Sequence, residues 1–576
     1  MTDKRSKRRT VFIYALIFLW CGVIFFRLYS VGIKEAERYQ RRSRRQWERI
    51  VTLSPKRGVI YDRMGRELAV SVDVPSIYAD PSKVFDPDYE AGKLAPILSM
   101  DKDWIKERLL RKGEFAWLKR KVSPRVAEEV RALKLRGIGI IYESKRFYPN
   151  GILACHILGF AGMDNIGLAG IERQYDELLR GSSGRILAMT RENTEGLISD
   201  GEVSLAPTVG RDLILSLDTV IQYYAERELE KAISDTSARG GMVIVIDPTT
   251  GDILALASRP GYDPNRFGSY PRHYFRNRAV SDAYEPGSTF KIVTAAVALE
   301  EGVVSPSDRF YCGRGAIVID GYLIRDTASY EYLNFREVLE HSSNVGAVLI
   351  GTRNNPHSFY DRLKGFGFGK RTDIDLPGES PGLISGYKGW TRFMLGEISI
   401  GQGIGVTPLQ MLRMAAAIAN GGYLVSPRVA LGKREGGRRF IPVAEGEKIR
   451  AVSPGTCSII REIMEGVVER GTGRKAAVPG YRVAGKTGTA QKIGPSGSYA
   501  DGGHIASFVG FAPAEKPRIA VIVVIDEPKG SYFGGQVAAP LFSRIVLPTL
   551  RYLRVPPERK GVKTLARMIT ADGRNY

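Results

Sequence analysis

The chain has 576 residues, 43% hydrophobic and 25% charged, a composition that excludes a disordered tail and a length that exceeds one ordinary core, so two or three globular units are expected. The formal net charge of +22 is concentrated near the N-terminus and in a tail from Arg551 to Arg574, with no RNA- or DNA-binding signature beside it. A membrane surface is therefore an expected partner, and nucleic acid is not.

In chain order, a basic tail over 1–10 (Lys4, Arg5, Lys7, Arg8, Arg9) is followed by the only long apolar run, Val11 to Ile33. At about 23 residues it makes roughly 34 Å of helix, enough to cross a bilayer once. Arg27-Leu-Tyr follows where a cleavage site would need small residues, so the reading is an uncleaved single-pass anchor. Arg38, Arg41, Arg42, Arg44, Arg45 and Arg49 rival the tail in positive charge, and the positive-inside rule alone chooses no orientation. The short tail and the large downstream body favour a cytoplasmic N-terminus with the body outside the plasma (inner) membrane.

Residues 34–208 are expected to form a non-catalytic pedestal. An arginine-rich helical stretch leads to about Arg49, and Arg57 to Ala69 reads as a β-hairpin around Arg-Met-Gly-Arg. Residues near 100 to 135 look helical, with charges on a solvated face. A second domain is expected over 209–550, and a basic tail over 551–576. In it, Gly241 to Ala257 reads as a hairpin turned by Pro-Thr-Thr-Gly, and Ile505–Phe511 with Arg518–Ile525 as another. Helical stretches lie between them, so strands from both ends should meet in one helix-flanked sheet of α+β class. Gly494 to Gly503 reads as a mobile loop. Cys21, Cys155, Cys312 and Cys457 lie far apart, with no C-x-x-C and no histidine pair, so no metal site is expected.

Three polar clusters punctuate this second domain: Ser288-Thr-Phe-Lys291, Ser342-Ser-Asn344 and Lys486-Thr-Gly-Thr489. A serine hydroxyl needs a base within reach to act as a nucleophile. Pro286 and Gly287 precede an apolar helical run, which puts Ser288 in the first turn with Lys291 on the same face. Ser342 can relay protons and Asn344 can bind a substrate amide. Lys486 supplies positive charge near Ser342, Gly488 admits a close backbone, and Thr487 and Thr489 offer hydroxyls to a substrate carboxylate. Each cluster alone has a plain structural reading. Ser-x-x-Lys also occurs at Ser99 to Lys102 and Ser385 to Lys388, read as a helix cap and a loop, while Ser342-Ser-Asn344 suits a helix start and Lys486 to Thr489 suits an edge strand. Their joint occurrence in this order is what argues for acyl transfer.

The three clusters, with 54 residues from Ser288 to Ser342 and 144 from Ser342 to Lys486, resemble those of the class B penicillin-binding proteins. So do Arg57-Gly-Val-Ile-Tyr-Asp-Arg, Gly167-Leu-Ala-Gly-Ile-Glu172, Asn277-Arg-Ala279, Tyr284 to Lys291 and Gly401 to Gln410. Tyr532 to Phe542 and the modest length are most similar to the septal, cell-division members, with the elongation type as the alternative. The resemblance implies a penicillin-binding-protein and serine β-lactamase-like transpeptidase domain behind a dimerisation-type pedestal. It implies that Ser288 attacks the D-Ala-D-Ala carbonyl of a peptidoglycan stem peptide, with Lys291 as neutral base and the Ser288 and Thr489 amides as oxyanion hole. No cofactor is implied. Expected partners are stem peptides, β-lactams, the membrane, a glycan polymerase and division proteins. A carboxypeptidase or β-lactamase-like hydrolase, or a scaffold with secondary catalysis, stays open.

Overall fold

The computed structural model describes residues 3–35, 48–53, 55–113, 115–182, 184–189, 203–205, 208–435, 439–492 and 502–558, together with 494, 496, 498 and 499. The chain divides into two compact units: Met1–Lys56 with Asp73–Ser144 and Gly181–Gly210, and Arg57–Val72 with Lys145–Arg180 and Arg211–Tyr576.

The first unit begins with a helix over Asp3–Tyr29, so the basic residues expected as a separate tail continue the apolar segment as one helix. An apolar span of 25 residues runs over Arg9–Ile33 with mean hydropathy 2.3, long enough to cross a bilayer. The arginine-rich stretch between this helix and Glu48 lies outside the described residues, as do 559–576 of the expected basic tail and residues 495, 497, 500 and 501 of the expected loop over 494–503. Arg49 lies on a strand, Glu48–Leu53, paired antiparallel with Gly184–Met189. That corrects the helical expectation there.

The region near 100 to 135 is also not helical throughout. Helices Lys102–Leu109 and Pro124–Ala132 flank a strand, Ala116–Lys119, which pairs with Ile77 to Ala79. Ala116 and Leu118 point inward while Trp117 is half-buried, the period of two that a strand requires. Each of these helices, and the helix Pro87–Leu98 before them, has a polar cap: Asp86 accepts from the amides of Asp88 and Tyr89, Asp101 from that of Trp104 and Ser123 from that of Val126. Their apolar faces, with Leu94, Leu98, Ile105, Leu109 and Val130, close one core over Ile77 and Leu118.

In the second unit the expected N-terminal hairpin forms between Ile60–Tyr61 and the start of Glu67–Ala79. The Asp62 carboxylate accepts from the amides of Met64 and Arg66, and Gly65 takes φ +81° in the turn. Beside it, Arg57 is wholly buried against Glu172 at 2.7 Å and Asp176 at 2.6 Å, and Arg146 reaches Glu172 at 2.5 Å. Residues more than a hundred positions apart thus share one neutral ion cluster.

Five strands of this unit form the main sheet: β1 (Gly240–Ile246), β2 (Ile253–Arg259), β3 (Ala484–Gln491), β4 (His504–Ala512) and β5 (Ile519–Asp526), in the order β2-β1-β5-β4-β3. Every pairing is antiparallel. Both predicted hairpins are present and, as expected, strands from the two ends of the domain meet. The uninterrupted apolar runs of β1 and β5 reflect burial on both faces. Val243, Val245, Val521 and Val523 pack on α1 (Thr219–Thr236) and on the C-terminal helix over Gly534–Tyr552. Met242, Ile244, Ile522 and Val524 face α2 (Lys291–Glu300), α3 (Phe335–Glu340), α4 (Asn344–Gly351), α5 (Pro408–Ala419) and α6 (Pro454–Glu469) on the other side. A wholly buried Val or Ile contributes about 1.5–3 kcal/mol. The helix over Gly534–Tyr552 is α7. Strand β3, which carries Lys486, is one edge of the sheet, and that edge is where the chemistry gathers.

Candidate active site

Ser288 sits in a 3₁₀ turn, Gly287–Phe290, that runs directly into α2. The Pro-Gly break is explained by geometry. Gly287 has φ +53°, and a Cβ there would lie 2.7 Å from the carbonyl oxygen of Thr489, so only glycine fits. Its amide donates to the Gly401 carbonyl at 3.0 Å, within the Gly401 to Gln410 segment. Ser288 is half-buried and Lys291, one turn on, is 1% exposed.

Ser342 lies between α3 and α4 in a left-handed conformation, φ +60°, which costs a non-glycine residue about 1–2 kcal/mol. The twist presents both its carbonyl and its hydroxyl to lysines. Lys291 Nζ donates to the Ser342 carbonyl at 2.6 Å and to Asn344 Oδ1 at 2.7 Å, with Ser342 Oγ at 3.4 Å. Lys486 Nζ, wholly buried, donates to Ser342 Oγ at 2.8 Å and to the Thr487 carbonyl at 3.2 Å. Four of the expected residues, Lys291, Ser342, Asn344 and Lys486, are therefore one hydrogen-bonded set. The Ser288 hydroxyl makes none of these bonds.

Thr487, Gly488 and Thr489 lie on β3 against the nucleophile's turn. A Cβ on Gly488 would meet Thr289 Cγ2 at 2.8 Å and the Pro286 carbonyl at 3.0 Å, the close backbone approach expected of that glycine. The two other Ser-x-x-Lys pairs have ordinary places. Ser99 closes the helix Pro87–Leu98 in a left-handed conformation, and Ser385 accepts from the Trp390 indole while Lys388 lies in a short 3₁₀ turn.

Asn344 has a further place in the set. Its Oδ1 holds Lys291, and its Nδ2 donates to the Arg325 carbonyl at 3.0 Å, so the side chain positions the amine. Asp326 was not foreseen. Its carboxylate accepts from Ser343 Oγ at 2.7 Å, from the Val345 amide at 3.1 Å and from the Asn344 amide, fixing the loop that carries Ser342. Only the position after a strand marks it in the sequence. Thr472, whose hydroxyl lies 2.7 Å from that of Thr487, and Gly534, whose amide donates to Thr489 Oγ1 at 3.0 Å, were missed as well.

Burial pulls the Lys291 amine down from the ordinary lysine value to about 7, with the charge of Asp326 opposing the fall. Burial, and then repulsion by Lys291, pushes Lys486 well below its ordinary value. Two ammonium groups sharing Ser342 disfavour each other, which adds to the fall at Lys486. A neutral amine can accept a proton from a hydroxyl, which a solvated lysine cannot do at pH 7. The edge strand β3 lies beside the half-buried Ser288.

Comparison with known proteins agrees. Residues 241–547 match the penicillin binding protein transpeptidase domain, and residues 52–215 match the penicillin-binding protein dimerisation domain. The chain is 36% identical to stage V sporulation protein D of Bacillus subtilis, over 95% of this chain and 87% of that one. It is also 36% identical to peptidoglycan D,D-transpeptidase FtsI of Escherichia coli, over 88% and 86%. Among solved structures, penicillin binding protein 3 of Mycobacterium tuberculosis, in complex with aztreonam, has a TM-score of 0.70 and 29% identity, over 89% of this chain and 99% of that one. A peptidoglycan synthetase from Bifidobacterium adolescentis has a TM-score of 0.71 and 27% identity, over 89% and 98%. With a transpeptidase domain, a dimerisation domain and relatives matched over most of their length, the chain belongs to the class B penicillin-binding proteins.

Proposed function

We propose that this penicillin-binding protein is a peptidoglycan D,D-transpeptidase that joins stem peptides through an ester on Ser288. The observation that carries the reading is the buried Lys291 amine, brought to about 7 and bonded to Ser342 and Asn344 one turn from the serine.

In the first half-reaction, Ser288 Oγ adds to the carbonyl of the penultimate D-alanine as its proton passes to neutral Lys291. The amides of Ser288 and Thr489 receive the developing oxyanion, where one donor is typically worth about 10²- to 10³-fold in rate. The C–N bond breaks as Ser342, bonded to Lys486 and within reach of Lys291, gives its proton to the departing D-alanine amine and takes in its place the proton held by Lys291. The substrate's terminal carboxylate falls to Thr487, Thr489 and Lys486, and its negative charge favours the protonated form of Lys486. In the second half-reaction, a neutral amine from a neighbouring stem adds to the ester, loses its proton along the same path, and releases Ser288. Penicillins follow the first half and stop at the ester.

The finer role we assign is septal synthesis during division, supported by the Tyr532 to Phe542 segment and by the similarity to Escherichia coli FtsI. The match to a stage V sporulation protein over 95% of the chain favours a second reading, a part in sporulation. The apolar helix over Asp3–Tyr29 is assigned as a single-pass anchor with its N-terminus cytoplasmic and the downstream body outside the membrane, beside a glycan polymerase and division proteins.

Incubation of the full chain in detergent with nascent peptidoglycan of defined stem sequence tests the chemistry. Release of D-alanine with formation of cross-linked dimer is expected; release of D-alanine with only shortened monomers would make it a carboxypeptidase. Complementation in cells depleted of their division transpeptidase tests the role: restored septation supports it, and filaments despite active protein refute it.

A further inference from the structure

The hydroxyls of Thr487 and Thr489 have polar groups behind them that the reaction itself does not use. Gly534 opens α7, and its amide has no partner within the helix, as for any helix's first residues. It donates to Thr489 Oγ1 at 3.0 Å. An amide can only donate, so Thr489 Oγ1 accepts there and its own proton must point elsewhere. The close seat is built in: a Cβ on Gly534 would lie 2.2 Å from the Gly488 carbonyl. Behind Thr487, Thr472 Oγ1 lies at 2.7 Å. Thr472 is tied to the Ser342 loop, since its amide donates to the Glu340 carbonyl at 3.2 Å, and a Cβ on Gly535 would lie 2.5 Å from the Thr472 carbonyl oxygen. The Tyr532 to Phe542 segment, which includes Gly534 and Gly535, thereby acquires a job at β3.

We propose that the Gly534 amide is a positioning group that commits Thr489 to act as a donor, with the Thr472 hydroxyl holding that of Thr487 in place beside it, so that this end of the site selects a substrate group able only to accept, a carboxylate. A hydroxyl held by a donor behind it meets a carboxylate with its proton already aimed, and the hydrogen bond to an ionised acceptor is the stronger kind. An ester or amide at the same place forfeits that gain. The inference rests on the acyl-enzyme reading given above.

The test compares acylation of the full chain by benzylpenicillin and by its methyl ester, which lacks the charged carboxylate. Thr472→Val removes one hydroxyl at nearly constant volume. It should lower the acylation rate constant for benzylpenicillin about fivefold, the worth of one hydrogen bond, and that for the methyl ester less than twofold. Thr472→Ser should restore the parent ratio. Replacing the Gly534 amide by an ester through glycolate incorporation removes the donor without adding bulk. It should lower the benzylpenicillin rate about tenfold with the same selectivity. Equal losses on both ligands, or no loss on benzylpenicillin, would overturn the proposal. Should Thr472→Val fail to fold, the Gly534 ester decides on the same ratio. Failure of the parent chain to acquire any penicillin at Ser288 would instead defeat the function on which this inference rests.

Discussion

Replacing Lys291 by methionine should make the protein more stable at pH 6 and less stable at pH 9.5. Burial lowers this amine from 10.5 to about 7, so the unfolded chain binds the proton more tightly than the folded one. Between these two values the unfolded state carries more protons, and stability rises with pH; below about 7 the whole penalty is present. At 1.36 kcal/mol for each pH step, the penalty is about 5 kcal/mol at pH 6 and about 1 kcal/mol at pH 9.5. Methionine fills similar volume and removes that penalty, but it abandons the bonds to the Ser342 carbonyl and Asn344 Oδ1, together about 3 kcal/mol. The net gain is about 2 kcal/mol at pH 6, vanishes between pH 8 and 9, and reverses above that. Urea unfolding of parent and variant in detergent at pH 6, 7.5 and 9.5 measures it, with penicillin acylation of the variant down about 10³-fold for loss of the base. A stability difference that stays constant across this range, or that grows in the variant's favour with pH, would refute a buried amine with a lowered proton affinity.

The parent's acylation rate should rise with pH through about 7, as Lys291 loses its proton, and level off above it; stopped-flow acylation across pH 5.5 to 9 reads this limb. Asp326→Asn removes the charge that raises Lys291 and one oxygen that accepts loop donors, so the limb should move to lower pH while the plateau falls about 10-fold or more. Gly488→Ala places a methyl 2.3 Å from Ser507 Oγ and 2.8 Å from Thr289 Cγ2. It should destabilise by about 1–3 kcal/mol in urea unfolding and lose acylation as the turn bearing Ser288 is pushed away. Glu172→Ala leaves Arg57 and Arg146 buried without their shared carboxylate, and a loss of about 3–5 kcal/mol in unfolding is expected.

Much of the fold was legible because its signals are local. The two apolar hairpins of the main sheet follow from continuous β-branched runs broken by Pro-Thr-Thr-Gly and by Ala-Glu-Lys-Pro, and burial of β1 and β5 on both faces explains the lack of alternation. The strand Ala116–Lys119 was not legible, since four residues of alternation are outweighed by the helical spacing on either side. The helix over Asp3–Tyr29 extends through charged residues because its backbone bonds do not depend on side-chain polarity. At the site, residue types and spacing revealed Lys291, Ser342 and Lys486, whose chemistry is unusual in combination. Asp326, Thr472 and Gly534 were hidden because each works through a partner brought close only by the tertiary fold, 18, 15 and 45 residues away. The left-handed twist of Ser342, which lets one residue serve two lysines, has no signal in a serine.

The most direct measurement is intact-mass analysis of the full chain after exposure to benzylpenicillin, followed by mapping of the modified peptide. A single adduct, persistent on the scale of the preparation, carried by the peptide containing Ser288 and absent from Ser288→Ala, is the predicted result. An adduct on another residue, or one that survives in Ser288→Ala, would contradict the account.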